Sequence, residues 1–459
     1  MTHPSDVHAF DGTKALAAAA IVLATAAAEA QTLRVETFDL TAPAEVHAVV
    51  TARCAGCDWG RRGREAAVLT VTLDGRESQD LVLVRGAETA EYAIALGPAA
   101  PGRHRVSLSL DRKATAPGAR DVAGEGVRII VIPEGDPRYL AAAFAPMLHA
   151  RPDAFARFSD VPLLLWYEID PLPSGQRIRY SVVFSNEDGG TPADRLMATW
   201  GRLTDIEFVY GVELDAAGGV VSERYQGREH HILPFRGHRL GRHPMLWVVT
   251  ENNMLAEAGK GRHRIAPAPF AFDLTSVSRE AVMDAHPWTY RVSAEEARRE
   301  GRVREDAVPG SRAVPDPRRF VYLEACADVK DAALTFAVAT RGSDGRLAWH
   351  ESDGDEPKYR IQRSPDHFPN GCFRGAVALP AGARDTDVAG LRFRAYTREP
   401  DEDEKPLRRG SATARLTRVN RLFRLGEDYS LGRTLLAWSG DLPLEVDGPA
   451  AEVPASGGW

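Results

Sequence analysis

Residues 204–214 read TDIEFVYGVEL, and the spacing inside this run decides how the middle of the chain folds. Ile206, Phe208, Tyr210, Val212 and Leu214 recur at every second position, the period of a β-strand with one apolar face. Asp205, Glu207 and Glu213 fall on the alternate positions, which places Asp205 and Glu207 one step apart on a shared side. Upstream, IRYSVVF (178–184) and PLLLWYEID (162–170) are two more strand-like runs, and SNEDGGTPAD is a turn-rich connection. Downstream come VVSERYQG, a polar passage rich in histidine and arginine (REHHILPFRGHRLGRHP), and MLWVVT (245–250), apolar on both faces. A run of that last kind suits a central strand covered on each side.

The same grammar extends outward in both directions. EVHAVVTAR, AAVLTVTLDG, EYAIALG and HRVSLSLD are short alternating runs separated by glycine, proline or charged turns. Strands about every ten residues, without intervening helix, predict a β-sandwich over residues 31–132. FVYLEACADV, ALTFAVAT, LRFRAYT and ATARLTRV predict a second one over 320–447. The reading is therefore mainly β: two β-sandwich domains flank a central, mixed-sheet, β-rich domain (139–290) with few helices. A charged, proline-bearing stretch (291–319) serves as linker, and 448–459 forms a small polar tail. Within 291–319, Ser293 and Glu296 stand at capping-box spacing and predict a short helix from Ser293 to Glu300.

Forty glycines and 30 prolines suit a chain built of strands and turns. A net charge of −7 gives no electrostatic reason to expect a nucleic-acid or anionic-membrane partner. Residues 1–30 read as a signal peptide: Lys14 precedes the apolar segment 15–28, and Ala28-Glu29-Ala30 fits a small-x-small cleavage site. That segment is too short for a bilayer-spanning helix, and no later apolar run reaches the length of one. The expected location is secreted or periplasmic, where disulfides persist. Four cysteines permit three pairings, and the two local ones, Cys54–Cys57 and Cys326–Cys372, keep each bridge within one domain.

Chemistry is expected in the central domain. Asp205, Glu207 and His230 are the candidate catalytic residues. Asp205, Glu207, His230 and His243 together offer the oxygen and nitrogen donors that one divalent metal ion takes, which lowers the pKa of a bound water. Without a metal, two carboxylates of unequal pKa supply an acid and a base, as in glycoside hydrolysis. Trp166, Trp200 and Trp247 are candidate walls for a sugar. Asn186, Glu187 and Asp188 before Gly189-Gly190 form a possible calcium-binding turn. No GxSxG, GxxxxGK[ST] or strand–GxGxxG–helix unit occurs, so serine-hydrolase and nucleotide chemistry have no support.

In order along the chain, LLLWYEI, NEDGG, Asp205-x-Glu207, His230 and HPMLWV resemble proteins related to a vacuolar protein-sorting factor of fungi and plants. The likeness spans roughly eighty residues of motif text. Ile206 stands where that family typically has tryptophan, and the resemblance implies no settled activity. The residues themselves lead to two expectations. One is a secreted hydrolase, metal-assisted or not, acting on an extracellular or cell-envelope polymer, most naturally a polysaccharide. The other is a non-catalytic surface or periplasmic binding protein carrying β-sandwich modules.

Overall fold

A computed structural model describes residues 31–454 except 188, 308–311, 363–370 and 399–409. The proposed leader and part of the tail lie outside the described residues. The fold is mainly β, with two sandwiches around a mixed-sheet centre.

The first sandwich comprises β1 (Gln31–Leu40), β2 (Ala44–Cys54), β3 (Val68–Leu73), β4 (Glu77–Val82), β5 (Ala90–Ala99), β6 (Gly102–Leu110) and β7 (Val122–Pro133). They form a four-stranded sheet, β1-β6-β3-β4, facing a three-stranded one, β5-β2-β7. Alternate residues of both sheets, among them Val46, Val50, Leu69, Val71, Val106 and Leu108, interdigitate as its core. Cys54 and Cys57 are disulfide-bonded at the end of β2.

The centre begins with helix α1 (Tyr139–Ala143), β8 (Met147–His149) and α2 (Pro152–Ala156). There follow β9 (Pro162–Leu172), β10 (Gly175–Phe184), α3 (Ala193–Trp200), β11 (Asp205–Asp215), β12 (Val220–Gln226), β13 (Ile232–Pro234), β14 (Arg239–Leu240) and β15 (His243–Val248). Short strands β16 (Leu255–Ala256), β17 (Arg264–Ile265) and β18 (Phe270–Ala271) lead to helices α4 (Ala281–Ala285) and α5 (Trp288–Arg299). One sheet runs β13-β12-β11-β10-β9-β18 and a second β14-β15-β8-β17. The parallel pairs β15/β8 and β18/β9 make the centre mixed. MLWVVT is an interior strand of the second sheet, as its two apolar faces require. The helix expected at Ser293 instead starts five residues earlier, behind Pro287. Ser293 and Glu296 lie inside it and are buried, so they cap nothing. Proline before the first turn was the stronger start signal.

The second sandwich holds β19 (Phe320–Lys330), β20 (Ala332–Arg341), β21 (Leu347–Glu351), β22 (Ile361–Gln362), β23 (Cys372–Ala378), β24 (Val388–Thr397), β25 (Thr413–Phe423), β26 (Leu436–Leu444) and β27 (Ala451–Glu452). Its sheets run β23-β19-β25-β26 and β21-β20-β24-β27, packed over Leu323, Phe336, Phe373, Phe393 and Leu416. The Cys326–Cys372 bridge joins directly opposed residues of β19 and β23.

A bulge in β11 positions the site. Tyr210 pairs with Tyr180 and Phe208 with Ser181, so Val209 is an extra residue with no partner on β10. One extra residue reverses which side chains share a face. Asp205 and Glu207, opposite Phe184 and Val182, therefore lie on the side of Tyr210, Val212 and Leu214. Ile206, opposite Val183, turns to the other side and joins a different apolar cluster, with Trp166 and Met197. The simple alternation expected over the whole run is thus wrong across Val209. Glu213, beyond the bulge, faces away from Asp205 and Glu207 and pairs with Arg177 at the surface.

Candidate functional site

Because of the bulge, Asp205 and Glu207 extend a buried face rather than a solvated one. Asp205 is 2% exposed. Its Oδ2 accepts from Asn253 Nδ2 at 3.0 Å, and Arg202 Nη1 lies 3.7 Å from Oδ1. Burial holds its carboxyl above the usual aspartate value, against the pull of Arg202 and Asn253. Glu207 accepts from Gln226 Nε2. Its carboxyl is held well above the usual range, first by burial and then by the negative charge of Asp205. His230 Nδ1 lies 3.1 Å from the same Gln226 amide nitrogen, so Gln226 connects imidazole to carboxyl. His230 itself is exposed, and Glu229 and His230 both adopt left-handed backbone (φ 57° and 58°). Non-glycine residues in that region are uncommon and cluster where the surroundings dictate the conformation.

A third carboxylate joins them. Glu187 lies in the turn before Gly189-Gly190, accepts from the Thr191 backbone N–H at 2.8 Å, and is raised to about 7 by burial and then by Asp205. A Cβ on Gly189 would fall 2.2 Å from Glu251 Oε2, and one on Gly190 (φ 114°) 2.7 Å from Glu187 Oε1. The glycine pair lets this loop pass over the site. NEDGG was legible as a turn, but its glutamate was linked to calcium rather than to Asp205. Asp188 lies outside the described residues.

Glu187, Asp205, Glu207, Gln226, His230 and Trp200 line one open cavity of about 310 Å³, together with Arg195, Arg202, Arg279 and Asn252. Trp200 ends α3, and Gly201 terminates that helix in left-handed backbone (φ 58°), packed against Arg374 and Gly375. The guanidiniums of Arg195 and Arg202 lie 5.7 and 5.6 Å from the indole centroid. Of the candidate residues, Asp205, Glu207, His230 and Trp200 thus meet in one place.

His243 does not. It is fully buried where the first sandwich meets the centre, with Nε2 2.8 Å from Glu45 Oε2 and Nδ1 2.8 Å from the Ala145 carbonyl. The register of β15 against β14 and β8 turns it away from the cavity, so it is no ligand there. Trp166 is sealed in the core on the far face of β9, its Nε1 3.4 Å from Glu168 Oε1. Trp247 stacks on His149 at 4.4 Å and donates to the Gly261 carbonyl at 3.1 Å, also outside the cavity. Among the described residues the group spaced to grip a metal is Asp80, Asp111 and His263, elsewhere in the molecule. Sequence reasoning missed Arg202 and Arg279, whose isolated positions carry no motif.

No helix among the described residues is long and apolar enough to cross a membrane. No family model matches the chain, and no curated protein matches it. A solved structure described as NLPPya in complex with mannosamine aligns over 29% of this chain and 71% of its own, at 12% identity and a TM-score of 0.22.

Proposed function

We propose that the protein is an exported hydrolase of extracellular or cell-envelope glycans. The observation that carries this reading is the juxtaposition, in one open polar cavity, of Glu207, whose carboxyl burial raises well above the usual range, and Asp205, held by Arg202 and Asn253. Two carboxyls whose surroundings push their pKa values apart divide the acid and base roles between them. Glu207 is the general acid, donating its proton to the leaving glycosidic oxygen. Asp205 is the base or the ion stabiliser, and Glu187 shares the negative charge with it. Gln226 orients Glu207 and His230, and Trp200 forms part of the wall against which a sugar ring packs. Two disulfides suit an oxidising compartment. The carboxylates also offer oxygen donors to a divalent ion, with His230 as the histidine at the rim.

The test is reducing-end release from a panel of plant, fungal and bacterial wall glycans. Glu207→Gln should lower turnover by about 10²- to 10⁴-fold, the usual size of a general-acid contribution, while glycan binding persists. Binding of a glycan without turnover by the wild type would favour the non-catalytic reading. Equal turnover by wild type and Glu207→Gln would remove Glu207 from the chemistry.

A further inference from the structure

Buried arginines in this chain are almost always spoken for. Arg151 Nη2 donates to Asp160 at 2.9 Å, Arg202 Nε to Glu280 at 3.3 Å, Arg264 Nε to the Ser78 carbonyl at 2.9 Å, and Arg374 holds Glu324 and Asp284. Arg279 differs. It is 8% exposed, its Nε has no hydrogen-bond partner, and it lines the cavity of Glu207 and Trp200. Among the described residues no carboxylate or carbonyl is hydrogen-bonded to its guanidinium. Arg195, on the same wall, also has a buried Nε without a partner, and its guanidinium leans over Trp200.

The segment that carries Arg279 is held from both sides. Ser278 Oγ donates to Glu324 Oε2 at 2.8 Å, and Glu280 Oε1 accepts from Arg202 at 3.3 Å. The guanidinium is therefore presented to the cavity by a fixed backbone and not by a mobile loop. A desolvated charge without a hydrogen-bonded partner is costly, and a planar donor fork is matched by a carboxylate. Three guanidiniums (Arg195, Arg202, Arg279) border the cavity; Arg202 is taken by Asp205 and Glu280, which leaves Arg195 and Arg279 to meet a ligand.

We infer that the saccharide bound here carries a carboxylate, as a uronic acid does, and that Arg279 with Arg195 receives it. The inference rests on the glycan reading above but not on catalysis. Calorimetric titration of the full-length protein with a tetra-uronate, and with the same tetramer after reduction of its carboxyls to alcohols, separates the two. The uronate should bind at least tenfold more tightly, and added salt should narrow the gap. Arg279→Gln should abolish the preference, Arg279→Lys should restore part of it, and Glu207→Gln should leave it intact. Because Arg279 makes no hydrogen bond to a neighbour among the described residues and acts on Asp205 and Glu207 only through its charge, Arg279→Gln should unfold close to the wild-type temperature, whereas an arginine that ties elements together would lower it markedly. Equal affinity for both tetramers, no binding of either, or an undiminished preference in Arg279→Gln would overturn the inference. Preferred binding without turnover would instead leave it standing and remove the hydrolase reading.

Discussion

Trp200 carries one assignment that stability cannot mimic. It ends a helix and touches the cavity from its edge, with two guanidiniums beside its ring. Trp200→Ala should weaken glycan binding about tenfold or more, since an aromatic–sugar or aromatic–cation contact is worth on the order of 1–2 kcal/mol. Isothermal titration checks the affinity, and circular dichroism checks that the fold persists. Trp166→Phe, a change inside the core, should leave affinity unaltered. At this scale the sequence was half legible. Asp205, Glu207 and His230 stood out because polar residues crowd into one stretch. His243 and Trp247 stood in the same stretch, yet register and stacking take them elsewhere, and spacing alone carries no record of that.

Among the elements, the bulge in β11 and helix α5 decide how the carboxylates sit. Alternation identified β11 as a strand without ambiguity. It could not show that Val209 is skipped by β10, because a bulge costs the sequence nothing more than one extra apolar residue. Behind the site, α5 inserts Glu296, fully buried, whose Oε1 accepts from Ser159 Oγ at 2.8 Å. Burial raises Glu296 to about 7, with Arg299 opposing the shift. A carboxyl whose folded pKa exceeds its unfolded value stabilises the fold below about pH 4.5 and forfeits that contribution as pH rises toward 7. Glu296→Gln should therefore gain roughly 1–3 kcal/mol over the wild type at pH 8 and nothing at pH 4, read from urea melts at the two pH values. A uniform loss at both would mean that the carboxyl's hydrogen bonds outweigh its ionisation.

Across the whole molecule, two sandwiches and a mixed-sheet centre were readable from strand grammar, and both disulfides from proximity in sequence. How the units touch was not readable, because contacts such as Glu45 with His243 join residues far apart in the chain. His47 lies beside that junction and is lowered to about 4, chiefly by burial and then by His243. A histidine depressed in this way contributes its stability above pH 6.5 and loses it as pH falls toward 4. The shift corresponds to about 3 kcal/mol, so acid unfolding should soften in His47→Gln between pH 6.5 and 4. The two pH trends leave stability highest near the pH at which both groups are neutral.

The central claim is that one cavity raises the carboxyl of Glu207 well above the usual glutamate range, beside an Asp205 that Arg202 and Asn253 hold lower against its burial. Carboxyl carbon-13 shifts of the labelled protein, assigned with Glu207→Gln and Asp205→Asn, measure it most directly. A Glu207 resonance that titrates well above the usual glutamate range, while Asp205 titrates below it, is the predicted result. A Glu207 that titrates near 4, like a carboxyl in open water, would contradict the account.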